Sequence, residues 1–407
     1  MKKLTALLIT ILITGVSLSA DTVSVGGRLE TFGAVNFHDR DNANDGFGEF
    51  RAITSLDFAS TENSSVYLEA EARIDSEGYA SGMIDDFAED DERWLLNLRE
   101  AYISYRFEQS SIQIGKQIFD WSVTDIISPS DNINPRDFTD LAEWERIGVP
   151  AVSVQIGYET FLELVYVPVF TPSKMPQGNW ERELPVGLSY GDLDMPNHGV
   201  GQLAVCFGTV VGSWDLGASW YHGYSFNPAV DSFAPPNINY RYNREDVFAV
   251  SAVGEIGFGL MMRAELGYFD QDDDDDFVQY VVGVDRVWSD IFRPTDQIYG
   301  LVQYVGEVEI NDVMPNDFRY SDFQRGFNNS VITRLEYTFN DRREWTLACE
   351  GSYNFSDHDS YVQPSVIWQH GNVEVEAGVN ITNGPSDSFW GGWDDSDRVY
   401  FKTTYHF

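Results

Sequence analysis

The chain reads as all-β: a transmembrane antiparallel up-and-down β-barrel of about 18 strands, with about 16 the other count the pattern allows. Three observations lead there. Apolar and polar residues alternate along most of the chain, the connections between alternating runs are short and long by turns, and the last residue is an aromatic one on such a run.

The first element is a leader. Lys2 and Lys3 precede an apolar run from Leu4 to Val16, and Ser17-Leu18-Ser19-Ala20 supplies small residues suited to cleavage. Residues 1–20 are expected to be a signal peptide and residues 21–407 a single exported barrel domain. Leu18 fits poorly three places before the cut, so cleavage after Ser19 competes with cleavage after Ala20. The run falls short of the roughly 20 apolar residues of a membrane helix, which makes a retained helix the weaker reading. No cysteine follows the cut, so no lipid anchor is expected there.

The mature chain starts with a period of two. Val23, Val25, Leu29 and Val35 share one face, and Ser24, Arg28, Glu30 and Asn36 the other. The pattern returns with Phe50, Leu56 and Phe58 against Glu49, Arg51 and Asp57, then with Val66, Leu68 and Ile74 against Glu69, Glu71 and Arg73. Later runs repeat it: Leu216 and Trp220 against Asp215 and Tyr221, Leu260 and Leu266 against Arg263 and Glu265, Leu335 against Arg334 and Glu336, Val375 and Ile381 against Glu374 and Glu376. Carboxylates and arginines are costly in lipid, so the second face is expected to line water. Residues 184–191 read either as a strand or as part of a loop, which leaves the strand count open.

Connections at 61–64, 108–111, 157–160 and 340–344 are short. Those at 38–46, 76–93, 121–150, 171–198, 223–246, 311–325 and 382–397 are long and acidic. One-sided loop lengths fit a membrane barrel; a secreted sandwich gives no reason for them. The last run sets Val399, Phe401, Thr403, Tyr405 and Phe407 against Arg398, Tyr400, Lys402, Thr404 and His406. Tyr405 and the terminal Phe407 resemble the assembly signal of bacterial outer-membrane barrels, which implies outer-membrane lipid and the barrel-assembly machinery as partners.

Composition narrows the function. Aromatic residues make up 14% of the chain and the formal net charge is −39, so nucleic acid is an unsuitable partner. The two cysteines, Cys206 and Cys349, fall on opposite faces by strand parity, and no disulfide is expected. The histidines, His38, His198, His222, His358, His370 and His406, show no hydrolytic or zinc-ligand spacing, so neither an enzyme nor a cofactor is expected. Gln271 followed by Asp272 to Asp276 lacks the glycine and terminal glutamate of a helix-loop-helix calcium site. It reads as a solvated hairpin tip with loose divalent-ion binding as the alternative, and Asp394-Asp395-Ser396-Asp397 carries the same two readings.

Residues 112–150 break the rhythm. Asn134-Pro135 reads as an N-cap and first helical position, giving a short helix over 137–146 stopped by Gly148. Leu98-Arg99-Glu100-Ala101-Tyr102, Gly115-Lys116-Gln117, Asp120-Trp121, Ser128-Pro129, Asp131 and Asn134-Pro135-Arg136-Asp137 together resemble a family of bacterial outer-membrane barrel proteins, porin-like by architecture. The resemblance implies passage or export of a solute. General trimeric porins fold their third external loop into the channel, and the loop after Lys116 is here also the third; the analogy extends to a homotrimer. The two placements open to it are inside the lumen and over the rim.

Within this loop Asp120, Asp125, Asp131, Asp137, Asp140, Glu143 and Glu145 face Arg136 and Arg146. An excess of acid in a narrow channel favours small neutral or cationic polar solutes. Trp121 and Trp144 either offer flat faces to sugar rings or pack the loop to the wall. The candidate constriction and solute-binding residues are Lys116, Asp120, Trp121, Asp131, Arg136, Asp137, Asp140, Glu143, Trp144 and Arg146. The expected function is a channel narrowed by residues 121–150. The alternatives are a gated conduit for a larger polymer or amphiphile and a structural or adhesion barrel.

Overall fold

The structure is a computed structural model and describes residues 23–37, 46–78, 80–82, 93–181, 187, 189–196, 199, 201–272, 274–311, 323, 325–340 and 342–407. The signal-peptide expectation lies outside the described residues, as do residues 38–45, 83–92 and 312–322.

Eighteen strands form one sheet. They are β1 (Val23–Asn36), β2 (Gly46–Thr61), β3 (Ser64–Asp75), β4 (Leu96–Arg106), β5 (Ser110–Gln117) and β6 (Val149–Gly157). Then come β7 (Phe161–Val167), β8 (Gln202–Val211), β9 (Trp214–Tyr224), β10 (Arg244–Gly257), β11 (Leu260–Gln271) and β12 (Asp276–Ser289). The last six are β13 (Gln297–Asn311), β14 (Ser330–Phe339), β15 (Trp345–Asn354), β16 (Ser360–His370), β17 (Val373–Asn383) and β18 (Arg398–His406). Each pairs antiparallel with the next, and β18 returns to β1 with Arg398 opposite Asn36 and His406 opposite Arg28. Closure removes the free edges that could not exist in lipid.

The alternation sorts the two faces. Val25, Leu29, Ile74, Leu266 and Leu335 stand exposed on the outside, while Glu30, Arg51, Glu71, Arg73 and Glu265 are buried within. Leu335 at 56% exposure against Glu265 at 2% gives the scale of the contrast. An apolar belt around a charged lumen places the barrel in the bacterial outer membrane. Cys206 and Cys349 are both free.

The C-terminus forms part of the seam. The Phe407 N–H donates to the Gly27 carbonyl at 3.0 Å, and the Gly27 N–H donates back at 3.1 Å. A Cβ on Gly27 would lie 2.4 Å from the Ile53 carbonyl oxygen and 2.7 Å from the Phe407 ring, so the close approach requires glycine.

Several expectations are decided or changed. Ser189–Asp194 is a strand, but it pairs with Asn237–Arg241 in a small sheet apart from the barrel, so it adds nothing to the eighteen barrel strands; residues 184–186 and 188 of the stretch left open lie outside the described residues. The 271–276 tip is solvated only in part: Asp272 is exposed, but Asp274 is 9% and Asp275 5% exposed, because Arg325 of the connection after β13 reaches Asp275 at 3.1 Å and Asn243 bonds Asp274; Asp273 lies outside the described residues. In the second acidic stretch Asp394 and Asp395 are exposed, while Ser396 is buried and donates to the Asn179 carbonyl. Residues 137–146 form no helix; Arg136–Asp137 and Glu145–Arg146 instead make a two-residue antiparallel ladder. Asn134 does not cap, because its amide joins the two ends of the loop, and Asp137 and Asp140 bond the backbone N–H groups of Thr139 and Ala142 in turn geometry.

Deleting Phe407 or substituting Gly27→Val is expected to reduce severalfold the fraction of barrel that migrates as the folded, heat-modifiable band on denaturing gels. Phe258→Ser, at a turn position 88% exposed, is expected to leave that fraction unchanged.

Candidate functional site

The connection after β5, residues 118–148, is built into the lumen from its neck inward. Asn134 Nδ2 donates to the carbonyls of Gln117 (3.2 Å) and Ile147 (2.8 Å), and its Oδ1 accepts the Phe119 N–H at 2.7 Å. One amide thus closes the loop. Gly148 brings the returning chain so near β4 that a Cβ would lie 2.2 Å from the Arg99 carbonyl.

The outgoing limb ends on Glu265 of β11. That buried carboxylate accepts the N–H groups of Val123 (2.6 Å), Thr124 (2.9 Å) and Ser130 (3.1 Å) and the hydroxyls of Thr124 (3.0 Å), Ser128 (2.7 Å) and Ser130 (2.7 Å). A buried charge is tolerated when it is hydrogen-bonded in this way. Arg263 of β11 adds a bond to the Val123 carbonyl at 3.2 Å, and Gln303 of β13 accepts the Asp125 N–H at 3.2 Å.

The returning limb is held by ions on the opposite wall. Glu145 lies 2.7 Å from Arg51 of β2, 3.6 Å from Arg73 of β3 and 2.9 Å from Arg99 of β4. Burial alone would push its carboxyl up, but Arg51, Arg99 and Arg73 together hold it well below the ordinary carboxylate range. Burial likewise acts against Glu143, which Lys402 at 2.8 Å and Arg51 at 3.5 Å keep below that range. Asp140 meets Arg398 of β18 at 2.8 Å. Contacts to β2, β3, β4, β11, β13 and β18 mean that the loop crosses the lumen.

The other candidate residues sort by what they touch. Asp131, 1% exposed, holds Arg136 at 2.5 Å and Arg146 at 2.7 Å, and Arg146 also reaches Asp120 at 2.5 Å. Asp137 accepts the Thr139 N–H and lies 3.8 Å from Arg73. Trp121 donates to Glu163 of β7 at 3.0 Å and packs on a buried apolar cluster. Trp144 donates to the Leu141 carbonyl at 2.7 Å, with its ring edge-on to Phe138, and it borders a cavity. Lys116 does not join them: it alternates with lumen-buried Gln117 and pairs with Pro150 and Ala101, so it takes the outward side of the wall. The apparent acid excess of the loop is matched by cations elsewhere, with Arg51, Arg73, Arg99, Arg398 and Lys402 coming from strands.

Two adjoining cavities remain beside the loop. One, of ≈410 Å³, lies between the loop tip and β14–β16; the other, of ≈220 Å³, lies along β14–β18. They share Ala142, Arg334, Glu350 and Gln363. Their charged lining is balanced: Asp125, Glu143, Glu336, Glu350 and Glu376 against Arg136, Arg146, Arg334, Arg398 and Lys402.

Sequence reasoning missed an aromatic cap. Phe138, Trp180, Phe226, Phe323, Phe327, Phe389, Trp390 and Trp393 come from five external connections and pack into one buried cluster. The signal was present in Phe389-Trp390-Gly391-Gly392-Trp393, too apolar for a solvated loop. Beneath it Asp359, fully buried, accepts the Trp390 N–H at 2.7 Å, and burial pushes its carboxyl up to about 6.

No family model matches the chain, and no curated protein matches it. Solved structures are similar in fold. OccAB3 of Acinetobacter baumannii is 10% identical with a TM-score of 0.53, over 95% of this chain and 99% of that one. A BenF-like porin from Pseudomonas fluorescens is 8% identical with a TM-score of 0.54, over 96% and 99%. OccK3 of Pseudomonas aeruginosa is 7% identical with a TM-score of 0.54, over 95% of each chain. At such identities the likeness concerns the fold, that of an outer-membrane porin-type barrel.

The two carboxyls have opposite pH signs. The Glu145 value is depressed, so its stabilisation is complete above about pH 4.3 and is lost as pH falls through the lower folded value. Protease cutting within residues 118–148 is therefore expected to stay slow from neutral pH to about 5 and to quicken in Glu145→Gln across that range. The Asp359 value is raised, so its contribution is lost as pH rises from about 4 through 6. Hydrogen exchange of residues 385–396, corrected for intrinsic rate, is expected to be severalfold faster above pH 7 than near pH 5, a difference that Asp359→Asn removes.

Proposed function

We propose that this barrel is a porin-like channel for the passive passage of small polar solutes, neutral or cationic and sugars among them, narrowed by residues 118–148. The observation that carries the reading is the loop itself. It is tied to Glu265 on one wall and to Arg51, Arg73 and Arg99 on the other, yet it leaves adjoining cavities of ≈410 and ≈220 Å³ beside it. Charges of both signs around a narrow passage set up a transverse field that sorts solutes by charge and dipole. Trp144 and Trp390 border the larger space and supply flat faces suited to rings. A neighbour described as a BenF-like porin supports the channel reading. A purely structural or adhesive barrel gives no reason for buried ion pairs across its lumen. The aromatic cap over the external connections favours, as a second reading, a conduit that is gated before it conducts.

Reconstitution in a planar bilayer tests this. Wild type is expected to conduct, and deletion of residues 128–148 is expected to raise single-channel conductance severalfold. The reversal potential in a potassium chloride gradient is expected slightly on the cation side, because the lining charges nearly balance. Folded protein without conductance in either form contradicts the channel, and a clear anion preference contradicts the charge assignment.

A further inference from the structure

Two neighbouring side chains at the loop tip stand apart from the packing around them. The Asp125 backbone N–H is bonded to Gln303, and its carboxylate, which lies in the field of Arg263 and Arg334, makes no hydrogen bond and no ion pair within 4 Å among the described residues. All the other acidic residues of the loop are paired with arginine or lysine. Beside it Ile126 is 48% exposed, with φ at 62°. A β-branched residue takes that left-handed backbone only under strain, and such strain concentrates where a segment is held for a purpose. Here it turns an apolar side chain and a charged one toward the same ≈410 Å³ space.

The far side of that space is amphipathic. Trp144, Phe327, Ile332 and Trp390 give it an apolar flank. Its cations are already engaged: Arg334 by Glu336 at 2.6 Å and Glu350 at 3.1 Å, Arg136 by Asp131, and Arg146 by Asp131 and Asp120. The cavity thus offers an apolar bed with one carboxylate left over, and its volume lies within the roughly 300–1,000 Å³ of small-molecule sites. Aromatic faces favour a cation in the same direction.

We infer that this cavity is a binding station for small molecules with a ring-sized apolar body and one ammonium or amidinium group. Asp125 takes the cation, and Ile126, Trp144 and Trp390 hold the body. The inference rests on the channel reading above, whose solute class it narrows.

Phenethylamine and phenylacetate carry the same ring with opposite charge and serve as probes. In single channels, phenethylamine is expected to interrupt the current at concentrations about tenfold lower than phenylacetate. Asp125→Asn is expected to raise the blocking concentration of the amine about tenfold and leave that of the acid nearly unchanged. Ile126→Gly, which relieves the strain but removes apolar contact, is expected to weaken both probes alike. Glu62→Gln, in a turn at the other end of the barrel, controls for net charge and is expected to change neither. Calorimetric titration of the detergent-folded barrel with the two probes reads the same preference without transport. Equal affinity for both ions, or amine binding unaffected by Asp125→Asn, overturns the inference. If the folded barrel carries no current, the channel reading fails, and the calorimetric comparison alone decides the inference by the same two criteria.

Discussion

A half-buried carboxylate set among three arginines is the contact on which the narrowed barrel depends. Arg51, Arg73 and Arg99 occupy inward positions on β2, β3 and β4, and the loop brings Glu145 into their midst. Removing one partner of a buried ion group strands the others in a poorly solvating interior. The loop is thus held by the electrostatics of the wall and not by its own secondary structure, which is slight. Glu265 does the converse on β11, where a wall carboxylate gathers the backbone and hydroxyls of the outgoing limb. Between these anchors the chain has little freedom to leave the lumen, and the passage is whatever space the anchors leave.

How much of this the sequence displays depends on the range of the interaction. Strand parity is local, so the inward set of Glu30, Arg51, Glu71, Arg73 and Glu265 is readable from alternation alone. The ion pairs are not. A count of acids in the loop suggests an acidic channel, but their cations lie in β2–β4 and β18, far along the chain. The same holds for the acidic tip after β11, where Asp275 is buried because Arg325 reaches it from another connection. Asn134-Pro135 has the local form of a helix start, yet the Asn134 side chain is engaged by Phe119, Gln117 and Ile147. Local propensity lost to a tertiary bond.

The aromatic cap shows a similar limit from the apolar side. Five connections each contribute one to three large side chains, none of which could bury itself within its own loop. Together they cover the external ends of β13–β17 and stand over the larger cavity, with Phe327 and Trp390 in both. Anchored loop below and aromatic cap above make the external half of the lumen a shaped interior. The far half of the barrel keeps the simpler alternation with which the chain begins.

The placement of the loop is open to one direct measurement. Lys402 Nζ of β18 lies 2.8 Å from Glu143 Oε1 of the loop, though the two residues are far apart in sequence. With Cys206 and Cys349 replaced by serine, the pair Glu143→Cys and Lys402→Cys, which leaves the Glu265 and Glu145 anchors in place, is expected to be bridged in the folded barrel by a short bifunctional thiol reagent. A loop that caps the rim instead would leave the two thiols to be modified separately, and that result would contradict the crossing of the lumen.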